Sequence, residues 1–516
     1  MTGARRSLAA SEAGLRTWTG SAGGRERLIL PLGAVLAGGF LLLGLAAALS
    51  WIDWRWVLLA LSAASVVVPG AVLALRGRLD VFEPLVWFGV MFLLLFVGRP
   101  AWDLAHHNFI YTGRLISPTF THMIVAGLLA GTGFVVGYLI PAAGSIASRV
   151  PRPPRLEPRR LLIWSTVVLV AALLAFVIFF VHAHGWRDPG GFFFRGQKRL
   201  QQLTASPAAT SKYFLASILL MVPVALFYLA IRLGVGAGER IGRIAGWLAL
   251  ASIVAFVVYN LGAGQRRYVI VMVGALGLYY YLRRGRRPSA LALCVAALVA
   301  LTVVSAVRDL RFAHARNTHA TPVHWLPWNA VTRLFETQDT GVAPALATEM
   351  LVVPRDLHYT YGAKTLLGPF VTLVPRQLWH GKPLPEDQQV LATVWGGQPC
   401  GYRGQCSTFS PFGEPYRDAG LVGVFIFAVL FGIFWRAIWL YYVRHQDRTL
   451  AIVACAALLP FMISWMRANF TLQALQAAMV LAVIALGGVL CRSRTDDTSA
   501  LTADHEPGWQ PVGGRG

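Results

Sequence analysis

Residues 161–181 read LLIWSTVVLVAALLAFVIFFV, with no Asp, Glu, Lys or Arg among them. As a helix rising ~1.5 Å per residue, the run is long enough to cross ~30 Å of hydrocarbon. Runs of this kind recur along the chain. Twelve are expected, near 28–49, 56–75, 84–98, 120–140, 161–181, 213–231, 241–261, 267–282, 289–307, 420–442, 449–466 and 471–490. The third and eighth are short and call for tilt or for extension by their flanks. Across the 516 residues, 56% are hydrophobic and only 13% charged, about half the charge of an average soluble domain. The mean hydropathy is +0.57. The class this implies is an all-α polytopic membrane protein. The net charge of +23 therefore does not point to nucleic acid, because basic residues in such chains set orientation and meet anionic lipid.

Counting Lys and Arg in the connections orients the spans. With the N-terminus inside, the cytoplasmic segments and both tails hold 24 basic residues, the short outer loops 11, and the one long loop 10. Long loops carry little weight in that count. The expectation is a plasma (inner) membrane protein with both termini cytoplasmic. Residues 1–27 and 491–516 read as disordered polar tails, 28–307 as nine spans, 308–419 as a large extracytoplasmic loop, and 420–490 as the last three spans. The first apolar run is too long for a signal-peptide core and reads as an anchor.

The long loop is where a working surface is expected. It contains HWLPWNAVTRLF (324–335) and TLLGPFVTLVPRQLW (365–379), which mix apolar and aromatic residues with proline and are too short to span. They read either as elements lying at the membrane interface, with Trp325, Trp328 and Trp379 near headgroup level, or as parts of a small domain packed on the membrane. Cys400 and Cys406, in CGYRGQC, sit on the oxidising side, where a disulfide persists; two free thiols are the alternative. A metal site is disfavoured because no second Cys or His pair stands at ligand spacing. Cys294, Cys455 and Cys491 fall in or at the ends of spans and read as small buried hydrophobes.

No acid is expected inside any span, which argues against a proton- or sodium-coupled carrier. No P-loop sequence is present, and no D-x-D stands in an outer segment to hold a sugar nucleotide through a metal. What the chain offers instead is arginine at outer membrane ends: Arg266 and Arg267, Arg308 and Arg311, Arg376, and Arg467. A guanidinium grips phosphate oxygens in a two-pronged fork, and several together hold a lipid pyrophosphate and stabilise it as a leaving group. The plainer reading of each is snorkelling or a headgroup contact. Acid–base candidates are His358, His380, Glu386, Asp387, Glu414 and Asp418. Glu414, in SPFGEPYRDAG at the start of the tenth span, stands out; the plainer reading pairs it with Arg417 or makes it a helix cap. Glu386 and Asp387 read as a solvated turn, His182 and His184 as headgroup neighbours, and Arg436 as a snorkelling residue. Asn260, Gln473 and Gln476 read as interhelical hydrogen-bonding residues.

With these residues in hand, the chain resembles the bacterial oligosaccharide repeat-unit polymerases, the Wzy-type O-antigen polymerase family. LDVFEPLVWFGVMFLLLF (79–96) is similar to that family's entry into its third span. VPRQLWHGKP (374–383) and STFSPFGEPYRDAGLVGVF (407–425) are similar to its loop segments, and the layout of many spans with one large late loop also fits. CGYRGQC departs from the pattern. The resemblance implies a GT-C-like fold and a metal-independent inverting glycosyltransferase without cofactor. It would join undecaprenyl-pyrophosphate-linked oligosaccharides, alongside a chain-length regulator and a flippase. By motif position, Arg376 and Lys382 would meet phosphate or glycan, with Tyr416 and Arg417 beside them. Glu414, and His380 in the preceding motif, would be the catalytic candidates. A ligase-type transferase that moves a finished glycan shares the architecture. A lipid-oligosaccharide flippase or carrier is the reading from another class, which twelve spans allow but the long outer loop and the lack of repeated halves disfavour.

Overall fold

Pro84 suits the first turn of a helix, where its missing amide leaves nothing unsatisfied, and a membrane-long helix does start there. The computed structural model of the protein describes residues 53–77, 79–182, 219–233, 238–262, 266–289, 340–374, 378–394 and 410–493, with isolated positions between 291 and 335. Among them, seven helices are long and apolar enough to cross a membrane: α1 (Trp54–Leu75), α2 (Pro84–Ala105), α3 (Ser117–Leu139), α5 (Pro158–His182), α7 (Glu239–Gly262), α12 (Gly413–Arg444) and α15 (Phe470–Leu490). Shorter helices fill the spaces between: α4 (Ala142–Arg149), α6 (Met221–Leu233), α8 (Arg266–Arg284), α9 (Val342–Val352), α10 (Gly368–Leu373), α11 (Glu386–Val394), α13 (Thr449–Leu458) and α14 (Phe461–Trp465). A two-residue hairpin pairs Ile110 with Leu115 and Tyr111 with Arg114.

The expected runs at 56–75, 84–98, 120–140, 161–181, 241–261, 420–442 and 471–490 coincide with these seven. The run at 267–282 forms α8. The run at 449–466 breaks at Leu459–Pro460 into α13 and α14, as proline dictates. The run at 28–49, and most of 289–307, lies outside the described residues.

The bundle is organised on the contact between α3 and α12. Gly133 and Gly137, one small residue every fourth position, let the two backbones touch. A side chain on Gly137 would overlap the Val429 carbonyl, and one on Gly432 would overlap the Phe134 carbonyl. Aromatic rings fill the space beside this seam, with Phe88 stacked on Phe134 at 3.6 Å and Phe431 edge-on to Phe134 and Trp465.

Several expectations are corrected here. The third span is not short: a π turn at Leu93–Gly98 carries α2 through to Ala105, 22 residues in all. Arg99, counted as a loop cation, and Asp103 therefore lie inside a spanning helix. Both are buried, and they pair one turn apart at 2.9 Å. An acid inside a span is thus present, neutralised by its i+4 partner. Arg436 does not snorkel. It pairs with Glu83 and donates to Tyr138 Oη at 3.2 Å, while Tyr138 donates to Glu83 at 2.7 Å. Gln476 does join helices, through Tyr268 of α8 at 3.0 Å. Asn260 instead donates to Phe256 O of its own helix, and Gln473 is fully buried with no hydrogen-bond partner among the described residues. Cys455 and Cys491 are free and buried, as small hydrophobes are.

The connections grouped by the charge count also pair with one another. Arg152 bonds Asp447, Arg287 bonds Asp80, and Glu157 N donates to Cys491 O at 2.8 Å. The polar tail expected from 491 onward is accordingly held through Ser493, whose amide donates to Arg155 O at 2.9 Å.

Candidate functional site

The sequence GEPYRDAG starts α12 with a proline in the first turn and ends with a glycine that breaks the helix. Ala419 and Gly420 leave helical geometry, and Gly420 sits at φ 60°, ψ −142°, a region open in practice to glycine alone. The break separates a short helical segment, 413–418, from the membrane-long remainder of α12. On that segment Glu414, Tyr416, Arg417 and Asp418 are all buried.

Each of these side chains is held by a different part of the chain. Glu414 accepts the backbone N–H of Thr471 at 2.7 Å. It thereby caps the N-terminus of α15, where Asn469 makes no side-chain cap of its own. Arg417 does not pair with Glu414; its guanidinium meets Glu386 at 3.3 Å, and Lys364 reaches the same carboxylate at 2.9 Å. Asp418 accepts three bonds, from Thr360 Oγ1 (2.6 Å), Lys364 N (3.0 Å) and Thr365 N (2.8 Å). Thr360 N and Tyr361 N pair with the Arg417 and Asp418 carbonyls in addition, so the chain at 360–361 is held against the segment by its backbone as well.

Behind them stands Glu349, fully buried on the otherwise apolar α9, VAPALATEMLV, with its carboxyl packed against Gly413. It has no hydrogen-bond partner among the described residues. Burial pushes its carboxyl well above the usual carboxylate range. The charges of Glu386 and Glu414 push it further, against the smaller pull of Arg417 and Lys364. The balance of the cluster points the same way: the buried acids Glu349, Glu386, Glu414 and Asp418 outnumber the two cations, Arg417 and Lys364. Among the described residues no three His, Cys, Asp or Glu side chains are arranged to hold a metal ion.

In front of the segment an open cleft of about 570 Å³ is lined by His122, Pro354, Tyr359, Tyr361, Tyr416 and the broken backbone 419–422. Three phenol rings on one wall offer flat apolar faces with polar tips, and the helix break supplies backbone groups at the floor.

Of the residues singled out in the sequence, Glu414, Tyr416 and Arg417 come together here. Arg467 is half-buried, two positions before the Asn469 that opens α15. Lys382 donates to the Thr372 and Val374 carbonyls at 3.1 and 2.7 Å, closing the end of α10, and His380 is exposed in the turn before it. Arg266 and Arg267 start α8, with side chains outside the described set. Arg308, Arg311, Arg376, Cys400 and Cys406 lie outside the described residues altogether. Glu386 and Asp387 are not a solvated turn: they open α11, where acids suit the helix N-terminus, and the two cations draw Glu386 inside. Sequence reading missed Glu349 and Lys364. A lone acid in the apolar run of α9 was the available signal for the first; the second has none.

Comparison with protein-family models, with curated proteins and with solved structures finds no match to this chain. What the fold defines is an α-helical membrane protein carrying a buried ionisable cluster beside an aromatic cleft.

Proposed function

We propose that the protein is a membrane glycosyltransferase that polymerises lipid-linked oligosaccharide repeat units at the outer face of the plasma membrane. In this reading twelve spans and the large loop form a GT-C-like enzyme with both termini in the cytoplasm. One observation carries it: the tyrosine-walled cleft lies directly against the helical segment that bears Glu414, Arg417 and Asp418. That segment is also the core of the sequence's resemblance to the repeat-unit polymerases.

The donor is a glycan on undecaprenyl pyrophosphate and the acceptor a sugar hydroxyl of a second lipid-linked unit. Sugar faces stack on Tyr359, Tyr361 and Tyr416. The acceptor oxygen forms its bond to the anomeric carbon as the bond from that carbon to the pyrophosphate breaks, with inversion. The hydroxyl proton goes to a carboxylate, and Glu414 is assigned that role. Glu414 is bound to the Thr471 amide and is not among the residues that line the cleft, so this role requires its carboxylate to leave that bond. Because Arg417 and Lys364 are engaged by Glu386, the leaving pyrophosphate falls to the other arginines singled out in the sequence, Arg266, Arg308, Arg376 and Arg467.

The test is the lipid-linked glycan profile of a strain lacking the gene. Single repeats on the carrier lipid are expected, with polymer restored by the wild-type chain and not by Glu414→Gln at equal protein level. Polymer that accumulates unattached to its final acceptor would instead make the protein a ligase. An unchanged profile would end the transferase reading.

A further inference from the structure

The helical stretch 363–373, the π turn Ala363–Leu367 followed by α10, carries its polarity the wrong way round for a surface helix in water. Its inward side is polar. Lys364 Nζ reaches Glu386, the Lys364 and Thr365 amides donate to Asp418, Thr471 Oγ1 donates to Lys364 O at 3.3 Å, and Gly368 lies hard against the Thr471 side chain. Its outward side is apolar. Leu366, Leu367, Phe370 and Leu373 follow helical spacing and are all at least half exposed, Leu366 at 66% and Phe370 at 68%. A helix on a water-facing surface shows the opposite arrangement, and an apolar stripe left open marks a partner or a membrane.

Two features point to lipid. The stretch is fastened by Thr471 to the first turn of α15, one of the membrane-long helices. The stretch is also bonded to α12, through the Lys364 and Thr365 amides on Asp418, and the cleft at that junction is lined by Tyr361, just before the stretch, and by Val422 of α12. From Val422 (64% exposed) an open stripe runs down α12 through Ile426, Leu430 and Phe434, one residue every fourth position. A stripe of that kind on a spanning helix faces acyl chains, and the 363–373 stretch, with its own open apolar side, is bonded to the head of that same helix.

We infer that the 363–373 helix is embedded in the bilayer, with its Leu366, Phe370 and Leu373 edge among acyl chains, and that the cleft beside it opens toward lipid. The inference concerns where the site sits and does not rest on the transferase reading. A ligand of this cleft is accordingly one that arrives from within the membrane, with an apolar anchor along Val422 and Ile426 and its polar part against the tyrosines.

Spin labels decide it. Cysteine is introduced singly at Leu366, Phe370, Ile426 or Arg355 of the full chain, with the five native cysteines replaced by alanine, in phosphatidylcholine–phosphatidylglycerol vesicles. The ratio of collision with oxygen to collision with a water-soluble nickel chelate is then read. At Leu366 and Phe370 it is expected to be several-fold above that at Arg355, whose side chain is 85% exposed, and to match that at Ile426. A ratio equal to that at Arg355 overturns the inference. Shielding from both reagents overturns it too, in favour of a protein partner such as a second copy. The Ile426 label reports insertion; if the cysteine-free chain fails that control, the same labels are read with buried Cys455 and Cys491 retained.

Discussion

The two ends of α12 each carry buried charge, and they are built differently. At the Arg436 end one acid, one base and one phenol close on each other: Glu83, Arg436 and Tyr138 each have the other two as partners. At the Glu414 end Glu386 takes both cations, Glu414 is bound to a backbone amide and Glu349 to no described group, the helix breaks at Ala419–Gly420, and a cleft opens in front. Balanced closure is what a structural clamp needs, since a buried charge is tolerable only when paired. A surplus carboxyl holding a proton behind the segment that borders a cleft has no such explanation, and groups of that kind cluster where chemistry is done. The contrast assigns the first to stability and the second to function.

The largest effect that bears on this contrast lies between the two ends. Gly137→Leu drives a side chain into the Val429 carbonyl and separates α3 from α12, so it is expected to cost about 3 kcal/mol or more. Both ends lose their geometry together. Size-exclusion profiles of the detergent-extracted protein should show loss of the monodisperse peak; a normal peak would mean that the seam is not what fixes the two ends. Next comes the clamp. Glu83→Ala leaves Arg436 without its counter-charge and is expected to cost about 2 kcal/mol, toward the low side because the Arg436 side chain keeps 29% exposure. The midpoint of thermal unfolding should fall while the proposed glycan polymerisation, measured at permissive temperature, stays near wild type. A loss of polymer at full protein level would put function at both ends.

How much of this was legible in the sequence differs along the same lines. The spanning helices announce themselves by uninterrupted apolar runs, since burial in lipid demands nothing subtler. The helix break at Gly420 was not anticipated, whereas Glu414 stood out by its place at a span boundary. What stayed hidden was pairing. Arg99 with Asp103, Arg436 with Glu83, and Glu386 with Lys364 and Arg417 each turn a charge that looks solvated into one that is buried. All but the first join residues far apart in the chain, and no local pattern encodes that. The boundary of α2 was misjudged for a related reason: Gly98, Arg99 and Pro100 look like a stop until Asp103 is seen to cancel the arginine one turn on.

The third test turns on the sign of a pH effect. Glu349 holds its proton well above the ordinary carboxyl value of 4.5, so above that pH the folded state binds more protons than the unfolded one. Stability is therefore lost as pH rises from about 4.5 toward the raised value. Glu349→Gln, which stays neutral, is expected to cost little near pH 4.5 and to unfold at a higher temperature than wild type as pH increases. Parallel melting curves for wild type and Glu349→Gln across pH would mean that the carboxyl is ionised in the fold, and the surplus-proton argument would fail with it.

The smallest effect is also the most local. Asp418 ties the chain at 360–365 to α12 through one hydroxyl and two amides. Asp418→Asn keeps the shape but gives up the charge and replaces one acceptor oxygen with a donor, a loss of about 1–2 kcal/mol. Because the backbone bonds from Thr360 N and Tyr361 N remain, global stability should hardly move, and the loss should appear as local opening. Hydrogen exchange at Lys364 and Thr365 is expected to speed up about tenfold, with α9 and α15 unaffected. Since the same stretch carries Tyr361 on the cleft and Lys364 on Glu386, loosening it disturbs both walls of the site at once. Unchanged exchange would show that the carboxylate is not the latch, and the aromatic wall would then have to be held by the Thr360 and Tyr361 backbone bonds alone.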